Sequence, residues 1–293
     1  MNWAWMALVL LTSSAGAAVS VIDDRGRTVT LAQPAQRIVS LAPHVTELLF
    51  AAGAGKSVVG VVRYSDFPAA ARQVPVVGDF GALDLETLLS MKPDLIVAWH
   101  SGNPAAAIQR LLKFNIPLFL SEPRRLEDIA TNLERLGLLA GTQTSATTAS
   151  AEFRAQLQQL RASYSGKAPV TVFYQIWDRP LITLNGQHMV SAVLELCGGK
   201  NLFAALPVLA PEVSMEAVLA ADPEVIIASG SASSENHGLG QWARRTSLRA
   251  VRNRQLYFVE PDIIQRSTPR IVHGAREICR ALDSARGSRN NKP

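Results

Sequence analysis

Three kinds of feature that would indicate an enzyme, a membrane-spanning protein or a nucleic-acid-binding protein are missing from the sequence. No Gly-x-Ser-x-Gly, Walker or Gly-x-Gly-x-x-Gly motif follows a predicted strand, so the common nucleophile and phosphate-binding loops are excluded. The one long apolar run, residues 3–11, is too short to cross a bilayer. The formal net charge of +5 is spread along the chain without a basic stripe and interleaved aromatics, so we expect no nucleic-acid partner.

Residues that bind metals are also few. The five histidines are dispersed, and none pairs with another at the spacing of a helical metal site, so we expect no resident metal or cofactor. The two cysteines, Cys197 and Cys279, have no neighbours typical of a metal site. In an oxidising compartment such a pair most simply forms a disulfide. It would close a loop of about 80 residues and contribute on the order of 4 kcal/mol to stability.

The first 17 residues are predicted to be a secretory signal peptide. The apolar run is followed by small residues that end in an Ala-x-Ala site, with cleavage after Ala17 or Ala18. No cysteine lies near this site, which argues against a lipid anchor. We therefore expect a soluble, exported mature protein.

One stretch occurs twice and organises the rest of the chain. Residues 83–98 and 213–228 align without a gap. Each copy opens with a helix N-cap residue, Asp84 or Ser214, and continues through a short helix, a proline and a run typical of a buried parallel strand. With 293 residues, of which 48% are hydrophobic, the chain is long enough for two domains. The repeat predicts one α/β lobe in each half.

The repeat also places Glu86 and Glu216 at matching positions. A carboxylate in the first turn of a helix complements the helix dipole, which is worth roughly 0.3–1 kcal/mol. Alternatively, two matched acids, one on each lobe, would suit a two-fold symmetric partner. Sequence spacing alone does not choose between these interpretations.

Strands and helices alternate through both halves, which predicts mostly parallel sheets with helices on both faces. Residues 144–164 contain no internal Gly or Pro and predict a helix of roughly 30 Å. This helix is either a strut that joins the lobes or a helix packed within one lobe. The predicted organisation is an N-terminal lobe (18–142), a linking helix (143–166) and a C-terminal lobe (167–293), with a ligand cleft between the lobes.

Candidate ligand-binding residues follow the predicted strands, because open α/β sheets bind ligands at the carboxyl ends of their strands. They are rich in aromatics with a few charges, which suits a large, partly apolar ligand. Each aromatic alone could equally belong to the core. The set comprises His44, Tyr64, Phe80, Trp99 and His100 in the first half, and Trp177, Asp178, Arg179, Asp262 and Arg266 in the second.

Several motifs resemble those of the periplasmic binding proteins of ABC uptake systems for cobalamin, haem and ferric siderophores. They are residues 37–43 (Arg-Ile-Val-Ser-Leu-Ala-Pro) with Thr-Glu-Leu at 46–48, Tyr-Ser-Asp-Phe-Pro at 64–68, and Leu-Glu at 85–86 ahead of Lys-Pro-Asp-Leu at 92–95. Glu-Leu-Cys-Gly-Gly at 195–199 and Ser-Thr-Pro-Arg at 267–270 are most similar to the cobalamin-binding branch.

The resemblance implies a monomeric binding protein, not an enzyme, with two lobes joined by one long helix and limited hinge motion. It implies that Glu86 and Glu216 form salt bridges with arginines of a dimeric permease. It also implies a cobalamin or related corrinoid ligand, with haem or a ferric siderophore as the alternative. An exported enzyme or a ligand-sensing domain is a more remote alternative.

The strand-end positions and the resemblance together predict a ligand site lined by His44, Tyr64, Phe80, Trp99, Trp177, Asp262 and Arg266. The last two would orient the ligand through hydrogen bonds. The chain departs from the cobalamin-binding branch at Phe80 and Ala210, which stand where that branch has tryptophans. His44 replaces a small residue, so we add the hypothesis that His44 or His100 contacts the metal of the ligand.

Overall fold

The computed structural model describes residues 18–79, 82–230 and 238–290. The predicted signal peptide and Phe80 lie outside the described residues. The described chain opens with strands β1 (Val19–Ile22) and β2 (Thr28–Leu31), which pair antiparallel. Their side chains alternate between buried and exposed, as expected for the predicted hairpin, whose buried face packs on the first lobe.

The first lobe contains a parallel sheet whose strands are nearly fully buried, as expected where helices cover both faces. The strands are β3 (Ile38–Ser40), β4 (Val58–Val61), β5 (Leu95–Trp99) and β6 (Leu118–Ser121), in the spatial order β4-β3-β5-β6. The helices are α1 (Pro43–Ala51), α2 (Leu85–Ser90), α3 (Ala105–Leu112) and α4 (Leu126–Ala140), with 3₁₀ turns at Gly55–Ser57 and Ala69–Gln73.

A single long helix, α5 (Gln143–Tyr164), follows the first lobe. Its 22 residues span about 33 Å at 1.5 Å per residue. It packs against α1 and α4 of the first lobe and against two helices of the second lobe. A Cβ on Gly137 would lie 2.2 Å from the Cβ of Ala146, so glycine at this position lets α4 and α5 approach closely. These contacts agree with the interpretation of the helix as a strut.

The second lobe repeats the architecture of the first. Its strands are β7 (Val170–Gln175), β8 (Trp177–Asp178), β9 (Leu181–Ile182), β10 (Gly199–Asn201), β11 (Val225–Ala228) and β12 (Leu256–Phe258). Four of them form a parallel sheet in the order β10-β7-β11-β12, while β8 and β9 form a small antiparallel ribbon. The helices are α6 (Met189–Leu196), α7 (Met215–Ala221), α8 (Gly240–Ala243), α9 (Arg249–Arg252), α10 (Pro261–Ile264) and α11 (Ile271–Asn290).

The two copies of the sequence repeat fold alike. Each forms a helix followed by the third strand of its sheet, α2 with β5 and α7 with β11. The predicted caps are present, because the Asp84 carboxylate accepts from the N–H of Thr87 at 3.0 Å and the Ser214 hydroxyl accepts from the N–H of Ala217 at 3.1 Å. The prediction of two similar α/β lobes is therefore confirmed.

One apolar cluster extends through both lobes. It includes Val97 in the first sheet, Phe153 in α5 and Ile227 in the second sheet. Separating the lobes would expose part of this shared core, so we expect the joint between them to be stiff. Within the second lobe, the predicted Cys197–Cys279 disulfide is present and joins the end of α6 to α11.

Candidate functional site

A cavity of about 1010 Å³ lies between the lobes. This volume is at the upper end of the usual range for small-molecule sites and suits a large ligand. The first lobe contributes the start of α1, the loops after β4 and β5, and residues 122–125 after β6. The second lobe contributes the start of α6, the loop around Pro207 and Leu209, and the segment from Pro261 to Ser267.

Five of the predicted site residues lie together in the wall of this cavity: His44, Tyr64, Trp99, Asp262 and Arg266. They come from both lobes, and they meet because the strand ends of the two sheets face each other across the cleft. The ligand-binding role of each remains a prediction.

Trp99 is fixed in the wall by the residues around it. Its ring packs edge to face with His44, with ring centroids 5.2 Å apart and planes at 85°. The backbone after β5 turns tightly, because the side chain of Asn103 accepts from the N–H of Trp99 at 2.8 Å and donates to the carbonyl of Leu41 at 2.9 Å. Gly102 sits directly against the indole, where no side chain would fit.

Two neutral histidines line the cavity. His44 is only 7% exposed, and its Nε2 has no hydrogen-bond partner in the part of the chain that the structure describes. Burial, with a smaller contribution from the charge of Arg266, lowers the pKa of His44 to about 4. Burial likewise lowers the pKa of His188 to about 4, and its Nδ1 caps α6 by accepting from the N–H of Val190 at 3.1 Å. Both imidazoles are therefore uncharged at neutral pH.

Tyr64 stands at the mouth of the cavity with 69% of its surface exposed. Its φ of +65° is in the left-handed region, which a bulky residue rarely adopts. Such strain persists only where the surrounding structure imposes it, and it is concentrated at functional sites. The next residue, Ser65, is buried and accepts a hydrogen bond from Thr46 in α1 at 3.0 Å, which anchors the loop.

Arg266 is held by three carboxylates. Its Nη1 lies 2.8 Å from an oxygen of Glu47 and 2.8 Å from an oxygen of Asp66, and its Nη2 lies 2.8 Å from Asp262. Sequence reasoning found Arg266 and Asp262 but missed the two acids of the first lobe. Both acids lie within the motifs at residues 46–48 and 64–68, and their place in these motifs could have identified them.

Comparison with known proteins gives the family. A sequence profile described as "Periplasmic binding protein" matches residues 38–263, which is most of the chain. The chain belongs to the periplasmic binding protein family. This membership confirms the prediction of a binding protein rather than an enzyme.

Named relatives within this family are similar over nearly their whole length. The vitamin B12-binding protein of Vibrio cholerae serotype O1 is 38% identical over 252 residues, which cover 86% of this chain and 91% of the relative. That of Vibrio parahaemolyticus is 36% identical over 257 residues, covering 88% and 93%. The crystal structure of the periplasmic vitamin B12 binding protein BtuF of Vibrio cholerae superposes with a TM-score of 0.81 at 38% identity, covering 86% of this chain and 98% of that chain.

Haem-binding proteins share the fold at lower identity. The periplasmic haem-binding protein HutB of Vibrio cholerae superposes with a TM-score of 0.73 at 21% identity, covering 84% of this chain and 98% of that chain. This likeness concerns the fold of the family and not the ligand.

Trp177 is not in the cavity wall, contrary to expectation. It is 46% exposed on the β8–β9 ribbon, where its Nε1 donates to the carbonyl of Arg179 at 2.9 Å. The reason is that the chain after β7 turns back into this ribbon. The second-lobe wall is built instead by later segments. Four further residues are also absent from the cavity wall: Asp178, Arg179, Ala210 and His100.

Several lining residues were not predicted from the sequence. Gln187, His188 and Met189 lie where the chain enters α6, and Arg124 and Arg125 lie after β6. The position of Arg124 after a strand was a usable signal, whereas the start of α6 follows no strand of the main sheet. Within the described ranges, no group of three or more His, Cys, Asp or Glu residues could hold a metal ion, and no helix is long and apolar enough to cross a membrane.

Proposed function

We propose that this protein captures cobalamin, or a related corrinoid, in the cavity between its lobes and delivers it to an ABC-transporter permease. The observation that carries the proposal is the 36–38% identity, over more than 85% of the chain, to relatives named for vitamin B12 binding. The size of the cavity and its aromatic wall support it, because a corrinoid is a large ring with both apolar faces and polar edges.

Affinity in this proposal comes mainly from burial of apolar surface. Tyr64, Trp99, Met189 and Leu209 offer such surface on both sides of the cavity. Hydrogen bonds orient the ring, because Asp262 can accept from the amide groups at the corrin edge and Arg266 can donate to them. The site that we propose therefore comprises His44, Tyr64, Trp99, Asp262 and Arg266, with Phe80 a candidate outside the described residues.

Haem is the second candidate ligand. The observation that favours it is the uncharged His44, whose Nε2 lacks a hydrogen-bond partner among the described residues. A neutral imidazole nitrogen is a common metal ligand. As a metal ligand, His44 would bind the iron of haem or, in the first proposal, the cobalt of the corrinoid.

The setting that we propose is the periplasm, after removal of residues 1–17 as a signal peptide. The protein acts there as a monomer, with the domain boundaries at residues 142 and 166 predicted above. Its partner is a dimeric permease in the inner membrane.

The docking surface that we propose comprises Glu86 and Glu216. Both side chains are exposed in the first turn of a short helix, α2 or α7, and neither forms an ion pair within the described ranges. The two helices occupy equivalent places in the two lobes. A partner with two-fold symmetry could therefore offer each acid the same basic residue.

Charge reversal tests delivery separately from capture. We expect the double variant Glu86→Lys/Glu216→Lys to bind cyanocobalamin as tightly as the unchanged protein, because both acids lie outside the cavity wall. Its uptake of labelled cobalamin in cells that carry the cognate permease should fall at least about tenfold, since close charge pairs at an interface are worth several kcal/mol. Glu152→Lys, an exposed acid on α5, is the matched control and should leave uptake unchanged. Normal uptake by the double variant would contradict the docking proposal.

A further inference from the structure

A buried ionic cluster ties the two lobes together beside the cavity. Its centre is Glu47 in α1, whose side chain is 2% exposed. Its carboxylate accepts from Arg266 at 2.8 Å, from Arg270 at 3.1 Å and from the hydroxyl of Thr268 at 3.0 Å. These three partners lie 219 to 223 residues further along the chain, in the second lobe.

Residues 66 and 67 of the first lobe extend this cluster. Asp66 pairs with Arg266 at 2.8 Å, and the guanidinium of Arg270 stacks over the ring of Phe67 at 4.0 Å from its centroid. Burial alone would raise the pKa of Asp66, but the hydrogen bond and charge of Arg266 outweigh it, so this pKa is lowered. The guanidinium groups of Arg266 and Arg270 are thus each held by two residues of the first lobe.

The cluster leaves Arg266 partly free. A guanidinium has five N–H donors in a fixed plane. Hydrogen bonds to Glu47 and Asp66 use the two N–H groups of Nη1, whereas Asp262 pairs with Nη2 through charge alone. The Nε–H and the two N–H groups of Nη2 make no hydrogen bond among the described residues, and Arg266 lines the cavity. The plane of the guanidinium, and hence the direction of these three donors, is set by carboxylates from both lobes.

We propose that Glu47 and Asp66 are positioning residues of the ligand site, which act through Arg266 by fixing its free N–H groups toward an acceptor on the ligand. The inference rests on the proposed function and deepens it. Neither acid is a cavity-lining residue, so neither would contact the ligand itself. The arrangement also couples the site to the spacing of the lobes, because Arg266 can reach both Glu47 and Asp66 of the first lobe only at one separation.

A double-mutant cycle separates positioning from general stability. The affinity for cyanocobalamin is measured by calorimetry for the unchanged protein, Glu47→Gln, Arg266→Ala and the double variant. We expect Glu47→Gln to weaken binding about tenfold when Arg266 is present and less than about twofold when it is absent. Glu134→Gln alters a carboxylate that binds Arg154 and Ser150 between α4 and α5. It is the matched control and should leave the affinity for cyanocobalamin unchanged both with and without Arg266.

Equal losses from Glu47→Gln in both backgrounds would overturn the inference, because a merely structural role does not depend on Arg266. If Glu47→Gln fails to fold, the cycle is run with Asp66→Asn. The side chain of Asp66 is 42% exposed, so its substitution should leave the fold intact. We expect a loss of about threefold that again disappears without Arg266, and an unchanged affinity would overturn the inference. An unchanged protein that binds no corrinoid would instead overturn the proposed function and this inference with it.

Discussion

Replacing Gly102 by alanine should displace Trp99 from the cavity wall. A Cβ at position 102 would lie 1.8 Å from Cε3 of the indole and 2.3 Å from both Cδ2 and Cζ3. Because carbon atoms pack at about 3.5–4.0 Å, the ring would have to move by roughly 2 Å. It cannot move freely, since His44 packs against it with centroids 5.2 Å apart. The φ of Gly102 is outside the left-handed region, so the clash and not backbone strain determines the effect.

We expect Gly102→Ala to lower the free energy of unfolding by about 1–3 kcal/mol, the usual cost of overpacking. The affinity for cyanocobalamin should fall at least about tenfold, since the displaced indole no longer presents the same surface to the ligand. Urea denaturation, indole fluorescence and calorimetric titration measure the three consequences. Gly287→Ala is the control, because its Cβ would meet nothing within 4 Å and alanine favours the helix by about 1 kcal/mol. Unchanged affinity and stability in Gly102→Ala would refute the packing of Trp99 described above.

Two further predictions concern stability. The double variant Cys197→Ala/Cys279→Ala removes the disulfide, which links residues 82 positions apart. Its free energy of unfolding, measured by denaturant titration under oxidising conditions, should be lower by about 4 kcal/mol. A loss below about 1 kcal/mol would contradict this prediction. The lowered pKa values of His44 and His188, about 4 in the folded state, mean that the unfolded chain binds protons first. The free energy of unfolding should therefore be at its full value above about pH 6.5 and fall toward pH 4, with a loss of roughly 2 kcal/mol per histidine at pH 5. A His44→Gln/His188→Gln variant whose stability showed the same dependence on acid would contradict this assignment.

Much of the fold could be predicted because its signals are local. The caps at Asp84 and Ser214, the prolines that end the two short helices and the uninterrupted helix at 144–164 depend on neighbouring residues. The long helix accordingly begins within one residue of its predicted position and ends at it. The duplication of one helix–strand unit then predicted two lobes before any long-range contact was known.

The site could be predicted only in part. Placing candidates after strands found five wall residues, because the sheets direct their strand ends to the cleft. It failed for Trp177, because a local ribbon turns the chain away after β7. It also missed Glu47, whose partner Arg266 lies 219 residues away, since no local pattern encodes pairing across the two lobes.

The measurement that tests the central claim most directly is calorimetric titration of the purified mature protein with cyanocobalamin, with haem and a ferric siderophore as comparison ligands. We expect tight one-to-one binding of cyanocobalamin alone. Binding of haem or of the siderophore without binding of cyanocobalamin would contradict the proposed ligand. That result would leave the family and the fold intact and would identify the departures at His44, Phe80 and Ala210 as the first residues to examine.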